Sequence, residues 1–169
     1  MVSRPTPALT RDAIYAILNE VMDPEVPVLS VVELGIIRGV EVDGNGVTVT
    51  VTPTYSGCPA MKVIEDDIVA AIRAHGVDEV QVKTTFTPAW TTDWIPAEAR
   101  EKLRAYGIAP PGAAEHDAPV AIGRRRPVVR CPWCGSGDTE LRSEFGSTAC
   151  KSIHMCRGCD QPFEEFKPI

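Results

Sequence analysis

The chain has 169 residues, which is enough for one domain or for a domain with a smaller module, and long enough to bury a real core. Its formal net charge of −6 and its sequence pI near 5.1 argue against a protein that coats nucleic acid. No stretch approaches the roughly 18 apolar residues of a membrane span, and residues 1–7 lack the apolar region of a signal peptide. We therefore expect a cytoplasmic protein that binds neither nucleic acid nor membrane.

The N-terminal part predicts a flexible arm followed by an amphipathic helix. Residues 1–9 show no periodicity, and Thr10 has the side chain of a helix N-cap. The helix should end near Met22, because the proline after Asp23 disfavours a helical conformation at that aspartate. Its apolar stripe consists of Ile14, Ile17, Leu18 and Val21.

The segment Asp23-Pro24-Glu25-Val26-Pro27 predicts a rigid acidic loop. Two carboxylates held between prolines could surround a hard cation or iron, or orient a neighbouring group. The same residues are also ordinary turn formers. The sequence alone leaves both interpretations of Asp23 and Glu25 open, and favours the turn.

A capping box and a hairpin are predicted next. The spacing of Ser30 and Glu33 is that of a capping box, so we expect one helical turn there. Residues 36–42 and 47–52 alternate apolar and polar side chains, and Asp43-Gly44-Asn45-Gly46 between them predicts an antiparallel hairpin.

The second strand runs into a helix at Ser56-Gly57-Cys58-Pro59. Proline suits the first helical position, which places Cys58 at the N-cap. There the free backbone N–H groups and the helix dipole favour a thiolate, so Cys58 could be a nucleophile or a metal ligand. A small buried cap residue without chemistry is the equal alternative. The helix is expected to bury Met61, Ile64, Ile68 and Ile72.

The first domain is predicted to close with a strand and a helix. His75, in the last turn of the Cys58 helix, is expected to interact favourably with the helix dipole and not to be a ligand. Residues 79–86 alternate apolar and polar side chains and predict a third strand. The tryptophans of residues 90–94 are expected to cap a small core, and residues 96–106 form a helix that ends at Gly107. This order of elements predicts a small α+β domain over residues 10–108.

Residues 109–129, rich in proline, glycine, alanine and charge, predict a linker. Its run Arg124-Arg125-Arg126 could contact phosphate or an acidic face of a partner, although a solvated charge run is the favoured interpretation. Residues 130–169 then form the second domain.

Two Cys-x-x-Cys pairs give the strongest signal in this sequence. Cys131, Cys134, Cys156 and Cys159 supply the four soft ligands of a closed zinc site, and a short hairpin fits between the pairs, so we predict a zinc ribbon. An iron site with the same ligands and a redox dithiol are the alternatives. Cys150 and His154 are spare donors between the pairs. Cys150 is expected to be an ordinary thiol, and the alternative is a ligand that substitutes when a cluster is bound. The apolar and acidic segment 163–166 is predicted to offer contact points for a partner protein.

Motifs in both parts of the chain resemble known families. The loop Asp23-Pro24-Glu25-Val26-Pro27 with Thr54-Tyr55-Ser56-Gly57-Cys58-Pro59 resembles SufT-like iron–sulfur assembly proteins. The tail from Cys131-Pro132-Trp133-Cys134 through Ser143-Glu144-Phe145-Gly146-Ser147-Thr148-Ala149-Cys150-Lys151 to Cys156-Arg157-Gly158-Cys159 resembles the PaaD (PaaJ) family of the phenylacetate pathway. Trp90-Thr91-Thr92-Asp93-Trp94 is similar to that family as well.

The resemblance implies a place in the 1,2-phenylacetyl-CoA epoxidase system, as a maturation factor and not as the oxygenase. A transient iron or iron–sulfur cluster would then be handled by Cys58 with Asp23 and Glu25, while zinc holds the ribbon. The implied partners are the oxygenase or reductase components and the iron–sulfur assembly machinery, with a homodimer as a further possibility. No catalytic residue is assigned, and the chain is expected not to be an enzyme.

The alternative function is a thiol-dependent acyl-CoA enzyme with Cys58 as its nucleophile. Such an enzyme needs a base beside the thiol, and the sequence offers no evident one. His75 lies at the far end of the Cys58 helix, His116 in the linker and His154 in the ribbon.

Overall fold

The computed structural model describes residues 10–55, 59–112 and 128–169. The predicted arm at residues 1–9, Cys58 and the arginine run 124–126 lie outside these ranges. The chain divides into two compact units, and the described residues of the first are 10–53 and 59–89. Those of the second are 54–55, 90–112 and 128–169.

The first unit opens with helix α1, Arg11–Leu18, which is shorter than predicted. The Thr10 side chain accepts a hydrogen bond from the Ala13 N–H (3.2 Å), so the predicted N-cap is confirmed. The helix stops at Leu18 and not near Met22, because the N–H groups of Glu20 and Val21 bond three residues back. The chain then forms a bridge between Met22 and Ser30.

The predicted capping box is present in the loop that follows. The Ser30 Oγ accepts the Glu33 N–H, and the Glu33 carboxylate accepts the Ser30 N–H, both at 3.1 Å. Gly35, with φ of +77°, ends the short turn and leads into the sheet.

A three-stranded sheet with one covering helix forms the body of the first unit. Strands β1 (Ile37–Asp43) and β2 (Gly46–Val51) make the predicted antiparallel hairpin. Helix α2 (Ala60–Ala74) then crosses over to β3 (Glu79–Thr84), which pairs with β2 in parallel. Its side chains Ala60, Ile64, Ile68 and Ile72 are buried. Met61, which was predicted to be buried, is only half-buried. Phe86, the last residue of the predicted third strand, lies beyond β3 and is exposed.

The second unit is built on a four-stranded sheet in the order β4-β7-β6-β5. It begins with a 3-10 turn, Thr92–Trp94, and helix α3, Ala97–Tyr106. The strands are β4 (Ile108–Ala109), β5 (Thr139–Ser143), β6 (Lys151–Cys156) and β7 (Pro162–Phe166). Gly107 ends α3 with φ of +95°, as the sequence predicts.

Residues 90–112 pack with the ribbon strands, although the sequence placed most of them in the first domain. Strand β4 pairs in parallel with β7, and the Trp90 ring lies 6.0 Å from that of Phe166. The Ile169 carbonyl accepts the Thr92 N–H (3.1 Å) and the Thr91 hydroxyl (2.8 Å). The tryptophan therefore caps a core, as expected, but that core belongs to the second unit. The exact domain limits predicted above stay a prediction.

The prediction that the apolar side chains of residues 163–166 offer contact points for a partner protein is wrong. Phe163 and Phe166 are buried, at 5% and 1% exposure. The Glu164 carboxylate accepts the Ser147 N–H (2.7 Å) and lies 3.2 Å from the Lys151 ammonium. Burial raises the pKa of Glu164, but the Ser147 N–H and the Lys151 charge outweigh it and lower that pKa.

Within the ranges that the structure describes, no helix is both long enough and apolar enough to cross a bilayer.

The contact between Gly107 and Trp133 gives a test of the second unit. A Cβ at Gly107 would overlap the Trp133 indole, and its positive φ is unfavourable for any other residue. Gly107→Ala should lower the free energy of unfolding by more than the roughly 1–2 kcal/mol of the left-handed backbone alone. Urea unfolding followed by tryptophan fluorescence measures it.

Two alanine variants serve as controls for that measurement. Gly135→Ala, in the same unit with φ of +75° and open space around it, reports the backbone cost by itself. Gly112→Ala has open space and no positive φ, and should change stability little. A loss at Gly107 no larger than at Gly135 would mean that the indole does not pack there.

Candidate functional site

Two tight turns of the second unit carry the four predicted ligand cysteines. In the first, the Cys131 N–H bonds to the Ser136 carbonyl and the Gly135 N–H to the Cys131 carbonyl, both at 2.9 Å. In the second, the Cys156 N–H bonds to the Gln161 carbonyl at 3.0 Å, and Asp160 adopts a φ of +54°. These turns bring the four cysteine side chains together.

The four Sγ atoms all lie within 4.8 Å of one another. The Cys131–Cys159 pair is 3.7 Å apart and the Cys134–Cys156 pair 3.5 Å. A regular tetrahedron with ~2.3 Å metal–sulfur bonds separates its sulfurs by about 3.8 Å. The prediction that these four cysteines converge is therefore confirmed, and the cluster has the size of a single four-coordinate metal site.

The thiols of the cluster do not titrate alike. Burial raises the pKa of Cys156, but the N–H groups of Cys159 and Gly158 outweigh it and lower that pKa to about 7. Burial and the neighbouring Cys134 sulfur raise the pKa of Cys159 to about 12. Four sulfurs this close repel one another as thiolates, and a bound divalent cation is what allows all four to ionise.

The spare donors Cys150 and His154 stay outside the cluster. The buried Cys150 sulfur lies 3.0 Å from the Thr148 hydroxyl. The His154 Nε2 lies 3.0 Å from the Glu165 carboxylate and 3.1 Å from the Ser152 hydroxyl, and its ring stacks on Phe163. These contacts satisfy polar groups inside the sheet, and they account for His154 without a ligand role.

The acidic loop of the first unit is held by Asp23. This side chain is 5% exposed, and its Oδ1 accepts the N–H groups of Glu25 (2.8 Å) and Val26 (2.7 Å). One carboxylate oxygen therefore stabilises the turn. This is the turn-forming role, one of the two interpretations that the sequence left open for Asp23. Whether Asp23 and Glu25 also share a metal site with Cys58 stays a prediction, because Cys58 lies outside the described residues.

The start of α2 is described from Pro59. That proline has helical angles, φ −66° and ψ −24°, so the chain is already helical at the residue after Cys58. No side chain caps this helix start among the described residues, and its first turn contains no acidic residue. Its N–H groups and dipole therefore present positive charge to whatever approaches the turn.

Thr52, directly after β2, is a residue that the sequence reasoning did not single out. It is 1% exposed, and its hydroxyl has no hydrogen-bond partner among the described residues. The alternation of side chains along the strand puts Thr52 on the same face as the half-buried Thr48 and Thr50. The sequence pattern therefore did not predict that Thr52 is buried.

Both histidines in the described ranges are occupied elsewhere. His75 caps the C-terminal end of α2, where its Nδ1 contacts the Ala71 carbonyl at 2.9 Å. The 15 residues of α2 put that end ~22 Å from the first turn. His154 is bonded within the ribbon sheet of the second unit, to Glu165 and Ser152.

Comparison with known proteins identifies both parts of the chain. Residues 11–84 match a family model described as an iron–sulfur cluster assembly protein, and residues 115–167 match the PaaD zinc beta ribbon domain. The first match ends before residue 90, in agreement with the division of the structure into two units.

Three similar proteins show how far the likeness extends. A crystal structure of a domain of unknown function, DUF59, from Bacillus anthracis is 29% identical with a TM-score of 0.51, over 55% of this chain and 90% of that one. An Fe-S protein maturation auxiliary factor of Porphyromonas gingivalis (strain ATCC BAA-308 / W83) is 40% identical over 56% of this chain and 90% of its own.

The third relative covers both units. A protein of Escherichia coli (strain K12), provisionally named as a component of 1,2-phenylacetyl-CoA epoxidase, is 47% identical over 156 residues, 92% of each chain. A likeness that runs through the iron–sulfur assembly part and the cysteine ribbon together means that this chain belongs to the PaaD family of 1,2-phenylacetyl-CoA epoxidase components.

Proposed function

We propose that this chain is a non-catalytic accessory protein that helps load iron or an iron–sulfur cluster into a component of a 1,2-phenylacetyl-CoA epoxidase system. The observation that carries the proposal is the 47% identity to the Escherichia coli epoxidase component over 92% of both chains. The iron–sulfur cluster assembly match at residues 11–84 supports the same role. The clients are an oxygenase or reductase component, and the iron–sulfur assembly machinery is the source of the cargo.

Cys58 is the proposed transient ligand of the cargo. The backbone of Pro59 has helical angles, and the sequence predicts the preceding thiol at the positive end of the α2 dipole, where a thiolate is favoured. Asp23 and Glu25 are proposed to tune or share this site. Through its two N–H bonds, Asp23 also keeps the acidic loop in one conformation.

The ribbon is proposed to hold a structural zinc ion on Cys131, Cys134, Cys156 and Cys159. Sulfur spacings of 3.5 and 3.7 Å fit a closed tetrahedral site, and zinc bound by four thiolates supplies folding free energy without redox chemistry. The ribbon is then a rigid module for recognising the client protein.

A thiol-dependent acyl-CoA enzyme finds no support in the described residues. Nucleophilic catalysis by a cysteine needs an adjacent base, and His75 and His154 are both bonded elsewhere. An accessory protein needs no such base, since it only holds and releases its cargo.

Replacement of Cys58 tests the donor role. In cells that carry Cys58→Ser, we expect the iron content of the epoxidase components to fall to the level found without this protein. The oxygen of serine is a poor ligand for iron in a sulfur environment, and the substitution changes little else. Elemental analysis of the purified components measures the effect.

A matched control separates that role from a general loss of thiol. Cys150→Ser removes a buried thiol outside the metal cluster and should leave epoxidase iron unchanged once the variant is shown to fold. Normal iron in the epoxidase of the Cys58→Ser strain would end the proposal.

Metal removal tests the ribbon. A strong chelator should release one zinc ion per chain and expose residues 128–169 to proteolysis, because metal binding by the four sulfurs supplies the free energy that holds the two cysteine turns together. Residues 10–89, with their own sheet and core, should stay resistant. Proteolysis followed by mass spectrometry distinguishes the two parts, and a ribbon that stays protected after zinc release would contradict the structural role.

A further inference from the structure

The outer edge of strand β3 has no neighbouring strand among the described residues. The sheet of the first unit has the order β1-β2-β3, so β1 and β3 both lie at its edges. The pairing of β1 contains a register shift between Ile37 and Gly39, an irregularity that hinders further strand pairing. The six residues of β3 pair with β2 without any shift. The β3 edge is therefore regular and able to accept another strand.

The backbone groups on this edge belong to alternate residues of β3. The Thr85 N–H donates to the Val51 carbonyl of β2 at 2.8 Å, so the backbone of Thr85 faces β2. Successive residues of a strand direct their N–H and C=O groups to opposite sides. The N–H and C=O groups of Val80, Val82 and Thr84 therefore point away from β2, to the free edge. They form the row with which an added strand would pair.

The apolar layer of the sheet is incompletely covered at the same edge. Thr84 donates its hydroxyl to Glu65 of α2 at 3.0 Å, so the side chains of Val80 and Val82 lie on the helix-covered face as well. Their register neighbours in β2, Val47 and Val49, are at most 2% exposed. Val80 and Val82 are only half-buried. A further strand beside β3 would cover the two valines that its own unit leaves open.

The other face of β3 carries an acid, an amide and a base in turn. Glu79, Gln81 and Lys83 are all exposed. Glu79 and Lys83 lie ~13 Å apart along the strand, which is too far for an ion pair between them. Neither has an ion pair with another described residue. This order is self-complementary, because a copy of the strand that runs in the opposite direction sets its base opposite the acid.

Two copies of β3 fit one antiparallel register. When Gln81 lies opposite Gln81 of the second copy, Glu79 lies opposite Lys83 and Val80 opposite Val82, in both directions. The outward backbone groups of Val80 then meet those of Val82, so this register also forms hydrogen bonds. A shift by one residue would set outward groups against inward ones. A shift by two would separate Glu79 from Lys83.

We propose that a second copy of this chain pairs with β3 in this register, so that two sheets join in the order β1-β2-β3-β3-β2-β1. The twofold axis passes between the two Gln81 residues and perpendicular to the sheet. Both α2 helices then cover the same face, and the half-buried valines of the two copies form one continuous apolar layer. A lysine on a free edge discourages pairing with unrelated strands. Here Lys83 is matched by Glu79 of the second copy, which favours self-association.

The pairing goes beyond the proposed function and does not depend on it. Strand pairing over six residues buries less surface than permanent dimers do, so we expect a weak dimer whose population depends on concentration. The two β3 strands are antiparallel in the dimer. The carboxyl edges of the two sheets therefore point in opposite directions, and each copy keeps its own strand–helix turn accessible.

Charge reversal tests the register. Sedimentation velocity of the full-length protein, with zinc in the ribbon and a reductant present, should show a monomer that becomes a dimer between about 1 μM and about 1 mM. Lys83→Glu sets two carboxylates opposite each other, and Glu79→Lys sets two ammonium groups opposite each other. Because the pairing is symmetric, each change acts twice, and each should weaken dimerisation about tenfold or more.

Two rescue experiments separate this effect from a loss of folding. The double variant Glu79→Lys/Lys83→Glu restores both ion pairs and should dimerise like wild type. An equimolar mixture of the two single variants should form heterodimers, because each supplies the charge that the other lacks. The matched control is Glu41→Lys, the same charge change at an exposed residue of β1, and it should leave dimerisation unchanged.

Amide hydrogen exchange followed by NMR locates the interface. At concentrations where the dimer forms, the N–H groups of Val80 and Val82 should exchange more slowly in wild type than in Lys83→Glu. The N–H groups of Gln81 and Thr85 face β2 and should exchange alike in both proteins.

Contrary results would overturn the inference. A monomer at every concentration would do so, and so would a dimer that both charge reversals leave intact. A mixture of the single variants that associates no better than either one alone would show that Glu79 and Lys83 do not face each other. Fast exchange of the Val80 and Val82 N–H groups in the dimer would place its interface elsewhere.

Discussion

The parallel pairing of β2 with β3 is the constraint on which the first unit depends. Two parallel strands cannot be joined by a tight turn, so the chain must leave β2, cross the sheet as α2 and return to the beginning of β3. This crossover buries Ile64, Ile68 and Ile72 against the sheet. It also fixes the strand-to-helix turn at the carboxyl edge, where a helix start and a strand end meet.

The second unit depends on a different constraint, the convergence of four sulfurs. Two knuckles from distant parts of the chain bring Cys131 and Cys134 to Cys156 and Cys159. The cysteines also belong to the small core, since Cys131 and Cys156 pack with Ala109 and Phe163. Metal binding and core packing are therefore coupled there, and residues 90–112 complete that module by adding β4 and Trp90 to its sheet.

The two units suit the two tasks of an accessory protein for metal cargo. The proposed cargo site must release what it binds, so it cannot be a closed cage. A site that must hold its metal permanently is best made from four thiolates, as in the second unit. In this member of the PaaD family, the two units are part of one chain.

Local patterns in the sequence determined most of the described helices and strands of this protein and the two cysteine pairs that converge in it. The Thr10 cap, the Ser30–Glu33 capping box, the hairpin, α2 and the glycine end of α3 depend on neighbouring residues, so spacing alone predicted them. The four cysteines proposed as metal ligands could be recognised for the same reason, because each pair lies within one turn.

Only the tertiary structure decided which segments pack together and which polar groups are buried. Three features depend on contacts between residues far apart in sequence. They are the placement of residues 90–112 with the ribbon, the burial of Phe163 and Phe166, and the burial of Thr52. Period and composition report only which residues prefer an interior. They do not say which partner covers a side chain, because that is set by the free energy of packing the whole unit.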